Sequence, residues 1–438
     1  MTVSFLTVLV YAMYPFNILL LLDLNKQPML NFLLPPLLFL GTSSKFFHDR
    51  LVFVVVCNAE KLNLLKTLDK ETFKANETTR TEKTSNKDDS PVTIIFAGDI
   101  SLDKPIRKDN GSSCEYSGLL ANVSKYFASV DYNMVNLEAP FVDRVTSKKT
   151  FLPDKGIHNM AWPEGIEALT SAGIKGATIA NNHMGDYGGD SVLLTQQILQ
   201  ENNIDVIGMT TGEKPPYSSQ KPLIKKIKGV KIGFLAYCGD SNEECLRFRP
   251  GIKAGPALLD KKTAEQEIPK LKEKVDVIVL FLHWGKEYMA IPNEPQREVA
   301  IYLKGLGVDL IIGSHPHVMQ GHEWMNDTLI HYSLGNFVFH PHFTFMGALH
   351  GKQNKTAIHD KYIEMSKKSR GPAGITELFK VELTKKGIKD AYYLPIRIHV
   401  DRNTACLYPK AKIEENWLKV CGPEDDNCYV PRPGEPIY

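Results

Sequence analysis

The chain predicts an α/β fold built around mixed β-sheet, and two features carry that prediction. From residue 91 to about 400, short apolar, β-branched runs alternate with stretches of helical character, the pattern of buried strands joined by crossover helices. Later segments, TLIHYSLGNFVF, ITELFKVELT and AYYLPIRIHV, alternate with no long helix between them and read as antiparallel strands. At 438 residues, 43% hydrophobic and 23% charged, the chain can bury a sizeable core.

Taken in order, the strand-like runs are VTIIFAG before Asp99, YNMVNL before Glu138, GATIA before Asn181, Asn182 and His183, VDVIVLFL before His283, and VDLIIGS before His315 and His317. Helices are expected over residues 116–128, 163–172, 189–202, 262–274 and 294–306. Residues 348–372 form a long polar loop. Strand carboxyl ends in crossover units share one edge, where ligands bind. Elements remote in sequence therefore deliver two carboxylates, a carboxamide and four imidazoles to that edge.

Such a set suits divalent cations: Asp99 and Glu138 supply anionic oxygens, Asn182 a carbonyl oxygen, and His283, His315 and His317 nitrogens. Taken singly, each has a commoner structural role: Asp99 a turn cap, Glu138 a surface carboxylate, Asn182 a turn residue, His283 a packed core histidine. Their placement at successive strand ends argues for a joint role. His315 and His317 flank Pro316, which helps bend the backbone, with Gly313 supplying slack. His322, His331, His340, His342 and His350 lack such placement and read as surface or packing residues.

Lys plus Arg at 52 against Asp plus Glu at 50 leaves a net charge of +2, too weak a field for nucleic acid to be the main partner. The 7 cysteines form no zinc-finger spacing, though Cys238 with Cys245 and Cys421 with Cys428 repeat one interval, and disulfides are compatible with it. N-glycosylation sequons open at Asn76, Asn110, Asn122, Asn326 and Asn354. Residues 1–57 hold apolar patches over 3–22, 29–40 and 51–57, which read as a membrane anchor or a signal peptide. Either places the remainder outside the cytosol. Residues 58–90 read as a polar linker, 91–400 as the catalytic-type domain and 401–438 as a Pro- and Cys-containing tail.

The strings FAGDI, NLEAPF, ANNHMGDYG, HWGKEY, GSHPHV and YSLGNFVF, in this order, resemble the capsule-synthesis CapA family, also called the poly-γ-glutamate capsule family, which is related to the calcineurin-like metallophosphoesterases. The resemblance covers about residues 91–400. It implies a four-layer sandwich of two mixed β-sheets flanked by helices, with a metal site at one edge. It also implies that Asp99, Glu138, Asn182, His283, His315 and His317 hold one or two divalent ions such as manganese, and that His183 protonates the leaving group. Glu138 stands where a bridging aspartate is usual, and Ser101 stands where the phosphoesterase pattern has a histidine. Asn181, Lys286, Glu287 and Asn336 are candidate substrate contacts. The expected activity is metal-dependent hydrolysis of a phosphoester or a poly-γ-glutamate-type substrate. The rival expectation is a membrane-tethered protein that binds or assembles such an anionic polymer without catalysis.

Overall fold

A computed structural model of the chain describes residues 90–103, 106, 114–148, 157–212, 220–239, 245, 253–339, 374–401, 406–411 and 416–420. The apolar N-terminal segment, the polar linker and the loop over 348–372 lie outside the described residues. In chain order the strands are β1 (Val92–Ile100), β2 (Tyr132–Leu137), β3 (Gly176–Thr178), β4 (Asp205–Ile207), β5 (Met209–Thr211), β6 (Leu223–Ile227), β7 (Val230–Cys238), β8 (Ala254–Pro256) and β9 (Val277–His283). They continue as β10 (Leu310–Ser314), β11 (Met319–Met325), β12 (Thr328–Leu334), β13 (Asn336–Val338), β14 (Ile375–Thr384), β15 (Gly387–Val400), β16 (Leu407–Ala411) and β17 (Leu418–Lys419). The α-helices are α1 (Ser124–Ala128), α2 (Ile166–Ser171), α3 (Gly189–Glu201), α4 (Lys261–Lys272) and α5 (Glu294–Gly305).

The strands form two mixed sheets and a small β5–β8 ribbon. The first sheet runs β16-β15-β14-β1-β2-β3-β4, with β13 beside β1 and β17 beside β15; the second runs β11-β12-β10-β9-β7-β6. In the first, β1 to β4 are parallel and β14 to β16 antiparallel. In the second, β7, β9, β10 and β12 are parallel, with antiparallel strands at both edges. The expectation that the ligand-bearing runs share a single sheet edge is thus corrected, because β1 to β3 belong to one sheet and β9 and β10 to the other. The segment around Thr328, expected to be antiparallel, pairs in parallel with β10 and is antiparallel only to β11. Residues 319–325 supply the hairpin partner that turns it.

Period-two alternation builds the four layers. Ile94 and Phe96 face inward with Met134, Phe234, Val279, Leu310 and Phe379, forming the core between the sheets. Ile95 and Ala97 face outward against Phe127 of α1, Leu169 of α2 and Leu199 of α3. In the second sheet, Ile278 and Leu280 face outward against Ile268 and Leu271 of α4 and Leu303 of α5. Each such burial removes an aliphatic or aromatic side chain from water, worth about 1.5–3 kcal/mol. The expected arrangement, two mixed sheets flanked by helices, is the one the chain adopts.

Helix starts follow their caps. Asp260 accepts a hydrogen bond from the Thr263 amide ahead of α4, and Asn293 with Gln296 forms a reciprocal capping box ahead of α5. The helix expected over 116–128 is instead a 3-10 turn at Tyr116–Gly118 followed by the short α1, since Gly118 is a poor helix interior residue. The one expected over 163–172 likewise opens on a 3-10 turn led by Pro163.

The sheet continues past the expected boundary at 400, because β16 and β17 add to β15 and Cys406 is disulfide-bonded to Cys114 across 292 residues. Cys238 and Cys245 form a second disulfide. Among the described residues no helix is long and apolar enough to cross a membrane.

Two glycines sit where backbone meets backbone. A Cβ on Gly98 would lie 1.9 Å from the Gly335 carbonyl oxygen, and one on Gly313 would lie 1.9 Å from that of Tyr332. Gly313 therefore permits close strand approach rather than supplying slack. Gly98 lets the Gly335 carbonyl accept the Asp99 amide at 2.9 Å, which sets Asn336 beside Asp99 in register. Replacing Gly98 with alanine is expected to cost about 3 kcal/mol, the upper end of overpacking penalties because the obstacle is backbone. The urea midpoint of Gly98→Ala against wild type measures this, and an unchanged midpoint would contradict it.

Candidate metal centre

The carboxyl ends of the two sheets lie together, and the side chains they carry meet there. Asp99 is near the end of β1, Glu138 follows β2, Asn182 and His183 follow β3, His283 ends β9, and His315 and His317 follow β10. All are buried. His283 is a focal point: its Nε2 lies 2.9 Å from Asn182 Oδ1, 3.1 Å from His315 Nδ1 and 3.5 Å from Glu138 Oε1. One N–H serves a single acceptor, whereas one cation satisfies all of these donor atoms together. That chemistry is the fit of this cluster to a metal ion.

Two donor groups share one carboxylate. Glu138, His283 and His315 form the first, and Asp99, Glu138 and His317 the second. His317 Nδ1 lies 3.6 Å from Asp99 Oδ2, and its Nε2 lies 3.9 Å from Glu138 Oε1. Glu138 is thus placed to bridge, while His315 and His317 serve different groups. Both residues sit at positive φ, 94° and 58°, a region that non-glycine residues enter at a cost of about 1–3 kcal/mol. The turn through Pro316 stores that strain, and it sends successive imidazoles to separate positions.

A ring of amides and hydroxyls orients the donors. Asn136 Nδ2 donates to Asp99 Oδ1 at 2.9 Å and to Glu138 Oε2 at 3.3 Å. Asn181 Nδ2 donates to Asn136 Oδ1 and to the Leu137 carbonyl, and its Oδ1 accepts from the His183 amide. Ser314 Oγ lies 3.0 Å from His283 Nδ1, which leaves Nε2 toward the cluster. Asn336 Oδ1 lies 2.9 Å from His317 Nδ1, and an amide oxygen can only accept, so Nδ1 carries the proton.

His183 stands apart from the donor groups. Its Nδ1 lies 2.7 Å from Asp186 Oδ2, and that oxygen also accepts the Asn159 amide at 2.8 Å. The carboxylate orients the ring through Nδ1, the arrangement of a histidine placed for acid–base work. Burial lowers the His317 pKa, but Asp99, Glu287 and Asn336 more than offset this, so the net shift is upward. The Tyr288 phenol is pushed well above its ordinary value by burial and by the Glu287 and Glu138 carboxylates.

Every residue expected to bind metal is therefore at the centre, and His183 is beside it with a carboxylate partner. The expected substrate contacts fare differently. Asn181 is fully buried, with its amide engaged in holding Asn136, so it acts behind the donors rather than on a substrate. Lys286 and Glu287 are exposed after β9, and Asn336 is buried against His317. Ser101 is buried two residues past Asp99. Asn136, Asp186, Ser314 and Tyr288 were not singled out from sequence. Asn136 was nonetheless discoverable, since i and i+2 on a strand share a face and it precedes Glu138 by that interval. His331 packs against Glu377 of β14, and burial with His331 nearby lowers His322 to about 4, in keeping with packing roles for both.

A family model described as bacterial capsule synthesis protein PGA_cap matches residues 93–341. The chain is 30% identical over 286 residues to a capsule biosynthesis protein CapA of Bacillus anthracis, a match covering 63% of this chain and 67% of that protein. It is 32% identical over 262 residues to a PGA biosynthesis protein CapA of Bacillus subtilis (strain 168), covering 59% of this chain and 66% of that one. The matches thus span about two thirds of each relative's length. Similar solved structures include the calcineurin-like phosphoesterase YfkN from Bacillus subtilis, at TM-score 0.39 and 15% identity over 70% of this chain and 90% of that one. Another is the NAD nucleotidase NadN of Haemophilus influenzae, at TM-score 0.42 and 13% identity over 76% and 60%.

The raised His317 pKa has a definite sign. Its imidazole keeps a proton to a pH above the ordinary 6.5, and a ligand must be neutral. Manganese affinity of the full chain is expected to be complete above that raised value and to fall as pH drops through it. Calorimetric titration at a series of pH values measures this. Affinity that is flat or that improves on acidification would contradict it.

Proposed function

The chain belongs to the bacterial capsule synthesis protein PGA_cap family, and on that premise we propose that it is a metal-dependent hydrolase acting on an anionic substrate, a phosphoester or a poly-γ-glutamate-type amide. The observation that carries this reading is the His183–Asp186 contact at 2.7 Å beside the donor groups. A protein that only binds an anion needs the donors. It has no use for a buried imidazole backed by a carboxylate.

A divalent cation at the donor groups would supply Lewis acidity toward the substrate and an acidified water as nucleophile. Asp99, Glu138, Asn182, His283, His315 and His317 would hold it. Asn136 keeps the two carboxylates turned toward each other, and Asn181 keeps Asn136 in place. His183 gives the Nε2 proton to the departing oxygen or nitrogen, while Asp186 stabilises the imidazolium from which it leaves. Burial of these groups in a setting poor in water strengthens each electrostatic contact. The two disulfides support a location in an oxidising compartment, outside the cytosol.

One observation favours a second reading, that of a non-catalytic protein binding an anionic polymer such as poly-γ-glutamate. Ser101 stands where the phosphoesterase pattern has an imidazole, so the Asp99, Glu138 and His317 group lacks one donor of that pattern. Activity decides between them. The full chain with manganese is assayed against a generic phosphodiester and against poly-γ-glutamate. His183→Ala is expected to lower kcat by about 10²–10⁴-fold with metal content unchanged, and chelator is expected to abolish turnover. Full activity in either case would overturn the mechanism, and retention of poly-γ-glutamate without turnover would establish the second reading.

A further inference from the structure

The turn after β9 holds a residue that the chemistry above leaves unused. Tyr288 sits at φ 58°, a left-handed conformation that is rare for an aromatic residue. It is preceded by Gly285 at φ 89°, where a Cβ would come within 2.6 Å of the Gln296 side chain. Two backbone bonds fix the turn to the loop of the metal-ligand histidines: the Trp284 amide donates to the Ser314 carbonyl at 3.1 Å, and the Tyr288 amide donates to the Pro316 carbonyl at 2.8 Å. The Tyr288 ring consequently stands 5.8 Å from the His317 ring, tilted by 41°. Phe339 packs on the same imidazole, at 4.5 Å between ring centres.

A left-handed tyrosine persists only where surrounding structure holds it, and such strain gathers at working sites. Packing alone does not explain the residue type, since a phenylalanine covers an imidazole equally well. The hydroxyl makes no hydrogen bond to a described protein group. The ring that carries it stands 5.8 Å from that of His317, a member of the second donor group.

We infer that the Tyr288 hydroxyl donates a hydrogen bond to an anionic oxygen of the substrate group being cleaved, holding that group over His317. This rests on the hydrolase reading and names a substrate-contacting residue for it. The phenol acts as a neutral donor opposite a site rich in carboxylates, where a lysine or arginine in its place would be drawn into ion pairing with Glu138 or Glu287. The contact fits a phosphoryl oxygen, and the probe is therefore inorganic phosphate.

The test uses the manganese-loaded full chain and compares wild type with Tyr288→Phe, which keeps ring and backbone, and with Tyr288→Leu, which removes the ring. Phosphate affinity is measured by calorimetry, alongside metal content, thermal midpoint and kcat/KM on a phosphodiester. Tyr288→Phe is expected to keep metal content and midpoint while binding phosphate about tenfold more weakly or worse, the scale of a hydrogen bond to a charged group. Tyr288→Leu is expected to match that loss. Phosphate affinity in Tyr288→Phe equal to wild type would overturn the inference, as would a wild type that binds no phosphate. Phosphate binding that depends on Tyr288 in a protein that turns over no substrate would leave the contact standing and remove the hydrolase reading instead.

Discussion

Asp99 and Glu138 are two carboxylates with no solvent exposure, held side by side by one amide group of Asn136. Burying one ion costs several kcal/mol even after relaxation, and burying two of like sign costs more unless positive charge meets them. The rest of the centre answers that constraint. Imidazoles approach Glu138 from His283 and His317, and the His315 amide points at Asp99 Oδ2 at 3.4 Å. A cation shared by the two carboxylates would complete the compensation, and Asn136 is what keeps them side by side.

The sheets do this by facing each other with their carboxyl ends aligned. The first sheet brings the acids and the Asn182–His183 pair, and the second brings the imidazoles, so neither sheet alone contains a complete donor group. The core between them, built around Phe96, Phe234, Phe281 and Phe379, fixes their relative position. Phe96 and Phe281 meet edge to face at 5.5 Å close to the chemical end. The long-range disulfide and the β16 and β17 additions secure the β15 margin of the first sheet, while the Cys238–Cys245 disulfide secures the end of β7, whose last residue pairs with His283.

Much of this was legible in the amino-acid order because the ligands fall at strand ends, where alternation and composition mark the boundary unaided. Asp99, Glu138, Asn182, His183, His283, His315 and His317 were all found that way. Residues that act through others were harder. Asn136 is marked only by sharing a strand face with Glu138, since a carboxamide inside an apolar run carries no metal signal of its own, and Asp186 follows His183 by a turn whose geometry no local pattern specifies. The division into two sheets was invisible to the strand pattern itself, because parallel buried runs look the same whichever sheet receives them. Only the family resemblance implied it. Gly313 was misjudged for a related reason: a glycine that makes room for a neighbouring strand and one that loosens a turn have the same letter, and only the Tyr332 carbonyl opposite it tells them apart.

The account depends most on Glu138 holding a cation together with imidazoles from the second sheet. Anomalous diffraction from manganese-soaked crystals of the full chain tests this directly. A peak at about 2.0–2.2 Å from Glu138 and from the nitrogens of His283 and His315 is the predicted result. Ordered crystals in which those side chains show no manganese between them, or in which the ion lies elsewhere, would contradict it.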